Sequence, residues 1–295
     1  MNTRDVLLRG SFKNCNVRFV LVETTDTITK AIKTHDTDPV SSLLLAEALT
    51  VASLLSSQLT DSEKYSLRWQ YNGKIGSIIA DVTAENHVRG IPKENLLMTA
   101  EDEKALYGDG GTVTLIKADR GRVMSSGTSE ARMLNITHDV AFYLSTSDQI
   151  ETEMVTKCRF NSDPNQPVKI SAGLLLQALP DCDLVEFEKM REALNLDGCT
   201  ELLISNQSPE VKLQSLLKFL LSQTGQPAVE DVREVVQYEF GASPDYKCSC
   251  SRERMVESLR TIDVKEIQDL LDSEDGLKLK CDYCNTTYVF HKTIK

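Results

Sequence analysis

Two pairs of cysteines near the end of the chain, Cys248-Ser-Cys250 and Cys281-Asp-Tyr-Cys284, have the makings of a metal site. Zinc takes four ligands in a tetrahedron, with Zn–S distances of about 2.3 Å. A Cys-x-x-Cys turn at the tip of a hairpin sets two sulfurs on one side of such a site. An extended Cys-x-Cys points two more to a common face. Four thiolates close the tetrahedron and leave no position for a substrate, so the chemistry is structural. His291, seven residues beyond Cys284, is a competing donor, but the cysteines already fill the site. A module of about 50 residues has little core of its own, so bound metal would supply much of its folding energy.

The Cys-x-Cys spacing has a redox consequence. In an extended chain, residues i and i+2 stand roughly 6.6–7.2 Å apart at Cα, whereas a disulfide needs about 4.4–6.8 Å. Such a pair can hold zinc with an extended backbone but bridges only when the backbone bends. Oxidation and metal binding therefore compete. The remaining cysteines, Cys15, Cys158, Cys182 and Cys199, are scattered singly and read as small buried apolar residues. Eight cysteines in 295 residues are too few for a disulfide-stapled secreted scaffold.

The elements that must position the pairs are short. A helix from about Arg252 to Ile262 follows the first pair. A capping-box-like start at Asp263-Val-Lys-Glu266 opens another, to Asp272. Gly276 then precedes strand-like arms at Leu277–Lys280 and Thr286–Phe290, which flank the second pair. Upstream, β-branched and alternating segments predict strands at Cys15–Thr24, Tyr65–Tyr71, Lys74–Val82, Gly111–Ala118 and Glu153–Phe160, with Asn72-Gly73 as a hairpin turn. Asp38-Pro39 opens a helix to about Leu59, and Thr137–Ile150 is a second. Past Pro180 the pattern turns to short amphipathic helices. Leu184, Phe187, Met190 and Leu194 recur at helical spacing, as do Leu213, Leu216, Leu217 and Leu220. Gly225-Gln-Pro227 then precedes a third helix at Val229–Tyr238. Helices this short are marginal alone and must pack on something. The fold class is α+β: a mixed α/β core at 1–180, a helical linker at 181–240 and a zinc-binding module at 241–295.

Composition narrows the function. Hydrophobic residues make up 41% and charged residues 26%, which excludes disordered and fibrous classes. Val40–Leu59 is long and apolar but carries Glu47, Gln58 and five serines, so it reads as a buried helix and not a membrane span. No apolar signal core follows Met1, which predicts a cytoplasmic protein. The net charge of −11 argues against nucleic acid or anionic membrane as partner. Asp181–Glu239 holds 12 acids and 5 bases, while Tyr246–Lys295 holds 9 of each. Four thiolates and one Zn²⁺ would bring that last segment to about −2, which is poor for a nucleic-acid zinc ribbon. Gly108-Asp-Gly-Gly111 lacks the spacing and lysine of a phosphate loop, and no catalytic set stands out. Two further readings remain: a constitutive zinc-structured interaction protein, and a thiol–disulfide oxidoreductase using Cys281 and Cys284.

The cysteine segments resemble one family closely. Tyr246-Lys-Cys-Ser-Cys-Ser-Arg-Glu-Arg-Met255 with Cys281-Asp-Tyr-Cys-Asn-Thr-Thr-Tyr-Val-Phe290 is similar to the signature of the 33-kDa heat shock proteins, which are redox-regulated, ATP-independent holdase chaperones. Val88-Arg-Gly90, Asp139–Gln149 and Gly173–Gln177 resemble the family's core segments. Ala131–Ile136 departs from the usual apolar stretch there, and Gly241–Asp245 looks inserted. The resemblance implies that reduced Cys248, Cys250, Cys281 and Cys284 hold one zinc ion. It also implies that oxidation yields Cys248–Cys250 and Cys281–Cys284 disulfides with zinc release, and that the opened chain binds unfolding clients as a homodimer. It implies a stoichiometric binder, with no catalytic residues.

Overall fold

The computed structural model describes residues 4–224, 230–259 and 276–291. It divides into two compact units, Met1–Tyr246 and Lys247–Lys295. The first unit opens with β1 (Val6–Phe12) and β2 (Val17–Glu23), then helices α1 (Thr25–His35) and α2 (Pro39–Ser56). Next come β3 (Glu63–Tyr71), β4 (Ser77–Thr83), β5 (His87–Pro92), α3 (Glu103–Tyr107), β6 (Gly111–Asp119) and β7 (Arg122–Glu130). Helix α4 (Ile136–Thr146), β8 (Thr152–Phe160) and β9 (Val168–Ala178) follow. The unit closes with α5 (Leu184–Leu194), α6 (Asp197–Leu203), α7 (Pro209–Ser222), β10 (Val236–Phe240) and β11 (Asp245–Tyr246).

Two sheets result. One is ordered β10-β1-β2-β9-β8, the other β11-β5-β4-β3-β6-β7. Helix α2 packs on strands of both. Its Asp38 cap accepts a 2.8 Å hydrogen bond from Ser41 N–H, and Pro39 occupies the first turn. About 78% of this apolar helix is buried in the protein, as expected of a core helix. Trp69, Leu45, Leu49, Val20 and Leu175 share its apolar cluster. The opposite face of the five-stranded sheet presents Phe19, Leu21, Leu174 and Leu176, and α5, α6 and α7 cover it with Phe187, Met190, Leu203, Leu213 and Leu216.

Polar contacts pin that cover. Lys212 of α7 is 1% exposed and pairs at 2.5 Å with Glu23 of β2. On α5, Arg191 Nε donates to Glu153 Oε2 at 3.1 Å, and the other oxygen of Glu153 lies 3.2 Å from His138 Nδ1.

The strand and helix assignments read from sequence hold in type, with two corrections. The helix expected at Val229–Tyr238 is a short 3-10 turn, Val232–Glu234, followed by β10. Strand β10 pairs with β1 from Leu8↔Phe240 to Phe12↔Val236. Gly10 admits this neighbour, since a Cβ there would stand 2.1 Å from the Gln237 carbonyl oxygen. Tertiary pairing thus overrides a helical spacing of apolar residues. The β3–β4 turn is longer than a two-residue Asn-Gly turn, with its left-handed residue at Gly76 (φ 61°). Gly73 serves closeness instead, because a Cβ would meet the backbone of Leu106–Gly108 at 2.4–2.5 Å. Cys199 lies inside α6, fully buried, as its reading as a small apolar residue expects.

The second unit contains α8 (Arg252–Ser258), β12 (Leu277–Lys280) and β13 (Thr287–Phe290), the strands forming an antiparallel hairpin. The helix expected at Asp263–Asp272, the end of the preceding one and the Gly225-Gln-Pro227 break lie outside the described residues.

Candidate metal centre

The site is built on a turn and a loop. Between β12 and β13, Cys281 N–H donates to the Thr286 carbonyl at 2.9 Å and Asn285 N–H to the Cys281 carbonyl at 2.8 Å. Asn285 takes the left-handed conformation (φ 57°) that the tight reversal requires. This folds Cys281 and Cys284 to one side. Ser251 caps α8 by accepting from Arg254 N–H, so the first pair is the lead-in to that helix. Arg252 stacks its guanidinium 4.2 Å from the Phe290 ring centroid and donates to the Val289 carbonyl at 2.8 Å. These two contacts clamp α8 to the hairpin.

All four sulfurs lie within 4.8 Å of one another. The Cys248–Cys281 separation is 3.7 Å and Cys250–Cys284 is 3.3 Å. A tetrahedron of Zn–S bonds has edges of about 3.8 Å, so the cluster has the size of a four-thiolate zinc cage. His291 is not part of the cluster; its ring lies beside Gly276. Sequence reasoning missed two supporting groups. The Tyr288 hydroxyl is 3.1 Å from Cys250 Sγ, and the Thr286 hydroxyl is 3.2 Å from Cys284 Sγ. Both lie close to Cys284 in sequence, two and four residues on.

The thiols differ in acidity. Burial pushes Cys281 up to about 12. Burial also raises Cys284, but hydrogen bonds with the Thr286 side chain and backbone, together with those to Cys250 and Cys281, outweigh it and bring the thiol down to about 7. Cys284 is thus the readiest thiolate. The scattered cysteines lie the other way. Burial raises Cys15 to about 11 and Cys158 and Cys199 to about 12, and it raises Cys182 as well. Protonated thiols in apolar surroundings are poor nucleophiles.

The family model for the Hsp33 protein matches residues 5–291. The chain belongs to the Hsp33 family. Among its relatives is a protein named 33 kDa chaperonin from Bacillus pumilus (strain SAFR-032), 26% identical over 98% of this chain and 96% of that one. A namesake from Geobacter sp. (strain M21) is 30% identical over 97% and 94%. The fold matches the crystal structure of 33 kDa chaperonin from Thermotoga maritima with a TM-score of 0.80, at 22% identity over 98% and 96% of the two chains. An Hsp33-family member is a chaperone, whose partners are other polypeptide chains.

Proposed function

We propose that this chain is a redox-regulated, ATP-independent holdase of the cytoplasm, held inactive while Cys248, Cys250, Cys281 and Cys284 are reduced and coordinate one zinc ion. Zinc, when bound, supplies folding free energy to a module that has little core of its own. The observation carrying this reading is the convergence of the four sulfurs, all within 4.8 Å of one another. A disulfide draws its two sulfurs to about 2.05 Å, against edges of about 3.8 Å in a four-thiolate zinc cage. Disulfides within pairs, Cys248–Cys250 and Cys281–Cys284, therefore require the module to rearrange. Peroxide would take two electrons from each dithiol, leaving a disulfide and two waters.

The consequence reaches the 181–240 segment. Its helices are 7 to 14 residues long, too short to persist unpacked. When they lift, Phe19, Leu21, Leu174 and Leu176 open on the sheet, and the helices offer Phe187, Met190, Leu213 and Leu216. Both surfaces suit unfolded clients. The net charge of −7 over Asp181–Glu239, from 12 acids and 5 bases, opposes self-aggregation of the opened form, which we take to act as a homodimer.

Light scattering from a heat-denaturing client tests the reading. Peroxide-treated protein should suppress aggregation and reduced, zinc-loaded protein should not. Equal suppression by both would make the module a constitutive structural element, and turnover of a dithiol substrate would make it an oxidoreductase.

A further inference from the structure

One face of the five-stranded sheet is not apolar along its whole length. Where it leaves α2, it carries Arg9 and Ser11 on β1, Arg18 on β2, Gln177 on β9, and Gln237 and Glu239 on β10. The strand registers set these side by side: Arg9 opposite Glu239, Ser11 opposite both Gln237 and Arg18, and Arg18 opposite Gln177. Arg9, Ser11, Arg18, Gln237 and Glu239 line a cavity of about 640 Å³ that reaches Ser57 at the end of α2, within the roughly 300–1,000 Å³ usual for small-molecule sites.

Arg18 is the unusual member. Its Nη2 donates to Gln177 Oε1, but its Nε–H is shielded from solvent and has no acceptor. Among the described residues no carboxylate pairs with it. Burial works against its cation, and so does the neighbouring charge of Arg9. Arg9 is itself paired at the cavity rim with Glu239, at 2.8 Å. The three charges sum to +1, and the carbonyl end of α2 offers only a partial charge against it. A part-buried, half-satisfied guanidinium is costly unless an acceptor arrives.

We propose that this cavity is an oxyanion site for a small metabolite bearing a phosphate or carboxylate group, with the Arg18 guanidinium as the anchoring donor and Arg9 as the second cation. No step of the redox switch uses it. One wall is core strand, β1 and β2; the other is β10, the end of the 181–240 segment. A ligand that needs both walls binds the docked form better than the opened one and favours it by mass action. This coupling rests on the switch reading above, whereas the binding itself does not.

The test is calorimetric titration of the reduced, zinc-loaded full chain with inorganic phosphate and, separately, succinate, neither of which competes for four thiolates. One saturable site per chain is expected for at least one probe, and which probe binds tells phosphate from carboxylate ligands. Arg18→Gln should weaken binding roughly 10- to 100-fold, the value of a charge-assisted hydrogen bond. Gln237→Glu leaves Arg18 in place, adds a negative charge to the exposed wall, and should weaken binding as well. Zinc content and far-UV signal confirm that both variants fold. Binding of neither probe, or wild-type affinity in both variants, overturns the site. With the site established, saturating probe should slow activation by peroxide. An unchanged rate would overturn the coupling to β10 and leave the site standing. A chain that never activates by oxidation would refute the switch reading alone.

Discussion

The two compact units are held together by different means. Met1–Tyr246 buries Trp69, Phe19, Leu45 and Leu49 completely and surrounds α2 with two sheets. Among the described residues of Lys247–Lys295, the buried apolar side chains are Leu277, Cys281 and Phe290, with one guanidinium stacked on an aromatic ring. Cysteines follow the same division. In the first unit Cys15 and Cys199 are buried, Cys158 and Cys182 pack part-buried against the core, and burial makes all four weaker acids. In the second they converge, and one of them falls to about 7. A large core makes cysteine inert. In a small one, cysteine chemistry can carry a larger share of the stability.

Removing a ligand should divide the units most sharply. Cys281→Ser is expected to abolish tight zinc binding and melt the second unit, because the metal contribution at stake is about 10–16 kcal/mol. Metal analysis together with near-UV circular dichroism checks this, and the thermal transition of the first unit should survive. Next in size is the buried pair under α7. Lys212→Ala leaves Glu23 without its partner and should cost about 3–5 kcal/mol of docking, so that client binding appears at lower peroxide. Lys212→Met with Glu23→Gln should recover most of that loss.

A smaller effect separates the units by pH. Desolvation raises Glu47 on α2 from 4.5 to about 7, against the opposing charges of Lys157 and His138. Its Oε2 has no hydrogen-bond partner. The folded state therefore holds a proton that the unfolded state has released, and stability falls as pH rises from 4.5 to about 7, by on the order of 3 kcal/mol. Glu47→Gln should raise the melting temperature of the first unit at pH 8 and leave it nearly unchanged at pH 4.5. Smallest of all, replacing Cys15, Cys158, Cys182 and Cys199 together by Ser or Ala should leave oxidative activation intact. Loss of activation with zinc still bound would move the sensor into the first unit.

The cysteine cluster was legible because its information is local: two short spacings and the residue types between them. Helices α2, α4, α5 and α7 were legible from caps and periodicity. Strands β7, β9 and β10 were not. Strand β9 contains a continuous apolar run, Gly173-Leu-Leu-Leu-Gln177, buried on both faces, and periodicity cannot tell such a run from a helix. Strand β7 is largely exposed and shows no alternation to read. Strand β10 depends on Gly10, more than 220 residues away in sequence. The Tyr288 and Thr286 hydroxyls were passed over because polar residues in a strand arm carry no metal signature of their own. The cavity at Arg18 exists only once β1, β2, β9 and β10 are side by side.

Hydrogen exchange on reduced and peroxide-treated full-length protein tests the central claim most directly, that the second unit's thiol chemistry controls the docking of the 181–240 segment. Oxidation should accelerate exchange across Lys247–Lys295 and also across α5, α6, α7 and β10, while α2, β2, β3 and β9 keep their protection. Acceleration confined to residues beyond Tyr246, with client binding switched on, would contradict the account and place the client surface elsewhere.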